Sequence, residues 1–189
     1  MDDQARFLDL VLTNPVNRIL LQRAPQLGLD EWWLTAGAVF QTVWNALEER
    51  DPGAGINDYD LFYFDPADLS YEAEDAVIQR ASHLFADLDV TVEVRNEARV
   101  HLWYEEHFGV PAAPFTSATD AIDHFASTTC CFGVTTAEDQ LLVYAPHGYS
   151  DLFSMRLRPN PVLAPREVYE TKAQRWAQQW PHLVVEPWP

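Results

Sequence analysis

The chain is short of cysteine, of basic residues and of glycine, and each shortage excludes something. Two of its 189 residues are cysteines, Cys130 and Cys131, and they are neighbours. Adjacent cysteines cannot staple a fold, so stability has to come from a packed core, and the pair predicts a reducing, cytoplasmic setting. Lysine and arginine number 12 against 29 aspartates and glutamates, which leaves a formal net charge of −17. Such a field repels phosphate backbones and anionic membranes. It argues against non-specific nucleic-acid binding and leaves small substrates, cationic substrates or metal–nucleotide complexes as partners. No apolar run approaches the roughly 20 residues that span a bilayer, so no membrane association is expected. The acidic start, MDDQARFLDL, lacks the basic and apolar regions of a secretory leader. Glycine is scarce, with seven residues, and no low-complexity stretch or internal repeat marks a linker.

Apolar side chains are plentiful. They make up 48% of the chain, with 13% aromatics, enough to build a core and to exclude a disordered chain. Gln4 to about Gln26 carries apolar residues at helical spacing, interrupted at Asn14-Pro15, and predicts two short amphipathic helices. Glu31–Thr35 predicts a strand and Ala38–Glu49 a helix. Asp58–Phe64, dense in aromatics and bounded by Gly53-Ala54-Gly55 and Asp65-Pro66, predicts the strongest strand. Asp68–Leu88 predicts a long helix opened by Asp68 or Ser70, and Thr91–Arg95 alternates as a strand. Glu97–Phe108 predicts a helix closed by Gly109, and Asp120–Ser127 a shorter one. Cys131–Thr135 and Gln140–Tyr144 predict a hairpin, Phe153–Arg158 a strand, and Pro165–Trp180 a last helix. The order implies an α/β (α+β) protein with a mixed sheet flanked by helices.

Chemistry concentrates at Asp58 and Asp60. Two residues apart on a strand, they project from one side of the sheet. Like charges so close repel unless a cation lies between them or one is protonated. Oxygen-only ligands suit Mg²⁺ or Mn²⁺. Glu93 falls on the next predicted strand, and the intervening helix is the connection that a parallel neighbour needs; if the strands pair, three carboxylates share one face. Upstream, Gly37 opens a helix whose N-terminal amides, with those of Ala38, form an anion site. A phosphate cradle beside a carboxylate cluster is equipment for metal-assisted phosphoryl or nucleotidyl transfer. Glu93 completes the cage or acts as general base.

The stretches Leu34-Thr35-Ala36-Gly37-Ala38-Val39 and Ile56-Asn57-Asp58-Tyr59-Asp60-Leu61-Phe62-Tyr63-Phe64-Asp65 resemble a bacterial family of nucleotidyltransferases related to the polymerase-beta superfamily. The likeness continues through Ala98–Tyr104, Arg158-Pro159-Asn160 and Lys172–Trp176. It implies a nucleotidyltransferase-type mixed sheet in one domain over 1–189, with 1–30 as an N-terminal helical extension and 110–189 as a C-terminal hairpin and helix elaboration. It further implies Asp58, Asp60 and Glu93 as catalytic and metal-binding residues, with Gly37 at the phosphates. Ala38 stands where the superfamily often carries Ser, so a hydroxyl contact to phosphate is missing while the amides remain. The implied activity is Mg²⁺- or Mn²⁺-dependent transfer of NMP from an NTP to a hydroxyl on a small molecule, a protein or an RNA end. The alternative is a non-catalytic nucleotide-binding or partner-binding protein of the same fold. Arg156 and Arg158, alternating on a predicted strand, offer two guanidiniums to a triphosphate or to acidic ion-pair partners. Arg99 is expected at the surface, His101 packed, and Lys172, the only lysine, in solvent. Cys130 reads as core.

Overall fold

Two N-terminal helices, α1 (Asp3–Val11) and α2 (Pro15–Arg23), meet at the Asn14-Pro15 break. They belong to a computed structural model that describes residues 2–189. Asn14 explains the break. Its side-chain oxygen accepts from Val16 N–H and caps α2, while its amide donates to Thr42 Oγ1 and the Tyr59 hydroxyl, both at 3.1 Å. One buried side chain thus ties the start of α2 to α3 (Gly37–Leu47) and to the central sheet.

The sheet has five strands: β1 (Trp32–Thr35), β2 (Asp58–Tyr63), β3 (Thr91–Asn96), β4 (Gly133–Ala137) and β5 (Gln140–Tyr144), in the order β3-β2-β1-β4-β5. Only β2 and β3 run parallel; β1 is antiparallel to both β2 and β4, and β4 to β5. The parallel pair is joined by α4 (Tyr71–Leu84), capped by Ser70. This is the α/β mixed sheet flanked by helices that the element order predicts. Strand β2 alternates cleanly. Tyr59, Leu61 and Tyr63 are buried in the main core, whereas Asp58, Asp60 and Phe62 turn to the opposite face. The core side is a β-face packed against apolar helix surface, the usual reason for period-two burial.

The C-terminal helix α8 (Arg166–Gln179) is fastened by aromatics. Phe40 and Trp44 of α3 meet Trp176 edge-on, Phe40 at 5.0 Å between centroids, and Trp44 packs on Trp180 at 5.4 Å. Trp180 Nε1–H donates to Asn45 Oδ1 at 3.1 Å, whereas the buried Trp44 and Trp176 indole N–H groups have no partner among the described residues, so the cluster holds chiefly by apolar burial.

Two elements differ from the pattern. Glu97–Leu102 is a 3-10 helix, and only Tyr104–Phe108 is α-helical (α5), ending at the left-handed Gly109. Asn96, the last residue of β3, caps Ala98 N–H while bonding Asp65 on both sides, which ties the start of this segment to the chain leaving β2. In place of a strand over 153–158, Ser150–Phe153 is a helical turn (α7). Met155 takes a φ of 50°, and only Arg156–Leu157 (β6) is strand, paired with Val184–Val185 (β7). A helix α6 (Ala118–Asp123) covers part of the second sheet face. Among the described residues no helix is long and apolar enough to cross a membrane.

Candidate active site

Parallel pairing of β2 and β3 settles the carboxylate geometry. Asp60 lies opposite Glu93 and Phe62 opposite Arg95. Residues opposite one another in a ladder share a face, so Asp58, Asp60 and Glu93 lie on one side of the sheet. Glu93 has one weak partner, the neighbouring Arg95 at 3.4 Å. Among the described residues the Asp58 and Asp60 carboxylates make no hydrogen bond or ion pair. Burial, then the Asp58 charge, then that of Glu93, push Asp60 up to about 7, against partial relief from Lys172 and Arg95.

A small cavity of about 130 Å³ opens where β2 begins, against the start of α3. Gly37, Asp58, Asp60, Gln41, Lys172 and Arg175 border it. Helix α3 begins without a side-chain cap, which leaves its first N–H groups for a ligand or water. The preceding residue, Ala36, is held at φ 54°, ψ −140°, a conformation costing about 1–3 kcal/mol for a residue with a Cβ and concentrated at functional sites. A Cβ on Gly37 would come within 2.6 Å of Gln41 Nε2, so glycine lets that amide lie over the helix start. Gln41 is buried and its Oε1 has no partner. Lys172 and Arg175 reach this cavity because the Trp44–Trp176–Trp180 cluster sets α8 beside α3. Cys130 also borders it, but burial pushes its thiol up to about 12, which excludes a thiolate nucleophile.

Asp60 and Phe125 border a second, larger cavity of about 670 Å³ as well. Glu93 and Glu97 line it, together with aromatic side chains such as Phe62, Trp103, Tyr104 and Phe108. Glu97 is 4% exposed, and burial, followed by repulsion from Asp60, raises it to about 8. A carboxyl raised from 4.5 to about 8 holds a proton in the folded chain that the unfolded chain releases. Its contribution is therefore present below pH 4.5 and lost as pH rises through 8. Urea unfolding from pH 5 to 8.5 without divalent cations should show Glu97→Gln gaining on the wild type as pH rises. The slope approaches roughly 1.4 kcal/mol per pH unit at most. A pH-independent difference would refute the buried, proton-holding carboxyl.

Arg156 and Arg158 border neither cavity. Arg156 pairs with Glu186 at 2.9 Å; Arg158 pairs with Asp151 at 2.8 Å and Glu186 at 3.0 Å. They take the ion-pair role rather than facing the helix start with Gly37 and Ala38. Lys172 is exposed yet at the cavity edge. Arg99 is not a surface residue: it forms a buried ion pair with Glu74. Glu97 and Gln41 escape a sequence reading, because one lies beyond the strand and the other is an ordinary amide on a helix face.

Carboxylates without protein donors fit a hard divalent cation by their chemistry. They are not drawn into a ready cage; among the described residues no group of three His, Cys, Asp or Glu side chains converges as a metal site. An uncapped, glycine-led helix start beside strand carboxylates on one sheet face suits chemistry on phosphate groups. A family model for nucleotidyltransferases matches residues 22–185, and the chain belongs to that family. In fold it is similar to an NMR structure described as a CCA-adding enzyme head domain. The TM-score is 0.77 at 24% sequence identity, over 96% of this chain and 95% of that one. Among curated proteins none matches the chain.

Proposed function

We propose that the protein transfers a nucleoside monophosphate from an NTP to a hydroxyl acceptor, with the reaction centred on Asp60. One observation carries this reading: Asp60 borders both cavities, one beneath a helix start and one lined by aromatics. An in-line displacement needs a phosphate donor and an acceptor to meet at one point, and Asp60 is a lining residue of both cavities. The triphosphate would lie against the amides of Gly37 and Ala38, with Lys172 and Arg175 offsetting its charge and Gln41 supplying a neutral donor. Asp58 and Asp60, with Glu93 beside them, would hold Mg²⁺ or Mn²⁺; when bound it would supply Lewis-acid stabilisation of the charge developing on the phosphoryl oxygens. Glu93 would take the proton of the acceptor hydroxyl. The acceptor oxygen bonds to the α-phosphorus, the bond from that phosphorus to the β-bridging oxygen breaks, and pyrophosphate leaves.

The test is transfer of label from the four NTPs, each carrying a radiolabelled α-phosphate, to small molecules, protein or RNA. Label should appear in a product with release of pyrophosphate, and only with a divalent cation present. Calorimetry separates the alternative: a nucleotide sensor of this fold binds Mg²⁺–NTP and releases no pyrophosphate, and that result would overturn the transferase reading.

A further inference from the structure

We propose that the large cavity is the acceptor pocket and that its occupant is a small hydroxyl-bearing amine, with a protonated nitrogen on an aromatic or apolar frame. The inference rests on the transfer reading above and specifies the second substrate. Glu97 is almost wholly buried, borders the cavity and makes no hydrogen bond or ion pair among the described residues. A buried carboxyl without a partner costs free energy, and a ligand cation would supply the missing one. Asp60 and Glu93 are further carboxyls lining the same cavity. Of the two arginines bordering the cavity, Arg99 is paired with Glu74 and Arg95 makes a 3.4 Å contact with Glu93; His107 and His124 border it as well.

The walls point the same way. Tyr104 and Phe108 pack against each other, tilted by 42° at 4.5 Å between centroids, and Trp103, 42% exposed, stands at the cavity border with them. Aromatic faces attract cations, by about 0.5–2 kcal/mol per ring. A volume of about 670 Å³ lies within the range that encloses a whole small molecule. The net charge of −17 draws cations toward the mouth. An anionic acceptor would meet the Asp60, Glu93 and Glu97 carboxyls, and a neutral one would leave Glu97 as it is.

Calorimetric titration of the full chain, without nucleotide, compares tyramine with neutral 4-ethylphenol and anionic 4-hydroxyphenylacetate. Tyramine should bind at least tenfold more tightly than either. Glu97→Gln should reduce tyramine to the level of 4-ethylphenol, and Trp103→Leu should weaken it several-fold. Trp103 is partly exposed, so its variant keeps the test decisive if Glu97→Gln does not fold. Equal affinity for the three probes, or tyramine binding untouched by the folded variants, would overturn the proposal. So would displacement of tyramine by Mg²⁺–ATP, because an acceptor and an NTP must be bound together. A cation preference in a protein that turns over no NTP would uphold the amine pocket and defeat the transfer reading alone. Labelled transfer without any cation preference would do the reverse.

Discussion

Asp60→Asn should abolish nucleotidyl transfer and make the metal-free protein more stable at pH 8. The loss of activity follows from position. Asp60 borders both cavities, so on the proposed reading its carboxylate would hold the cation that offsets charge on the reacting phosphate. Removing several kcal/mol of that stabilisation lowers the rate by roughly 10²–10⁴-fold. The gain in stability follows from electrostatics. Asp60 is raised from 3.8 to about 7, so the folded chain holds a proton there that the unfolded chain has lost. Stability attributable to this group is present below pH 3.8 and lost as pH rises through 7. At pH 8 the wild type carries an ionised Asp60 against Asp58 and Glu93; asparagine keeps the shape and removes the repulsion. The gain should be on the order of 1–2 kcal/mol, discounted for the group's contact with solvent in the cavities. Mg²⁺ should reverse the order, raising the melting temperature of the wild type and leaving the variant unmoved. Turnover within tenfold of the wild type would remove Asp60 from the reaction, and a variant less stable at pH 8 would show that the charges around it are already compensated.

Trading stability for a charge cluster is common at reactive sites, and it explains which parts of this site can be read from the chain. Period-two alternation in Asp58–Tyr63 fixes that both aspartates leave the core face, since Tyr59, Leu61 and Tyr63 must enter it. A helix between two strands implies parallel neighbours, and the register then sets Glu93 beside Asp60. These inferences need only local pattern and one topological rule. Lys172 and Arg175 are different: they reach the small cavity through the packing of Trp176 and Trp180 on Phe40 and Trp44, more than a hundred residues apart in sequence. Arg156 and Arg158 alternate as a phosphate clamp would, yet Glu186, which engages both, lies on the chain after β7. No local spacing reveals such a partner. Glu97 carries no local signal either. It follows a strand, heads what reads as an exposed helix, and becomes a buried carboxyl only because Asn96 turns the chain inward with bonds to Asp65 and Ala98.

Glu74→Ala should cost about 3–5 kcal/mol of stability, the range for removing one partner of a buried ion pair. Glu74 is 7% exposed and performs two tasks. Its Oε1 accepts the Asn96 N–H at 2.9 Å, fastening α4 to the end of β3. Its Oε2 holds the Arg99 guanidinium, whose Nε also donates to Leu69 O at 3.0 Å. Alanine leaves a half-buried guanidinium without its counter-ion and a buried amide without its acceptor, each a penalty larger than a lost surface bond. For a chain of this size the melting temperature should fall by roughly 10–15 °C. Replacing both partners together, as Glu74→Leu with Arg99→Met, should recover much of the loss, because two apolar side chains avoid the desolvation that a lone charge suffers. A double-mutant cycle measures that coupling; a single variant within 1 kcal/mol of the wild type would show the pair to be solvated. Because Glu74, Asn96 and Arg99 all border the large cavity, the same ion pair that holds α4 to the sheet also shapes that cavity's wall. Its removal should therefore loosen tyramine binding even at temperatures where the chain stays folded.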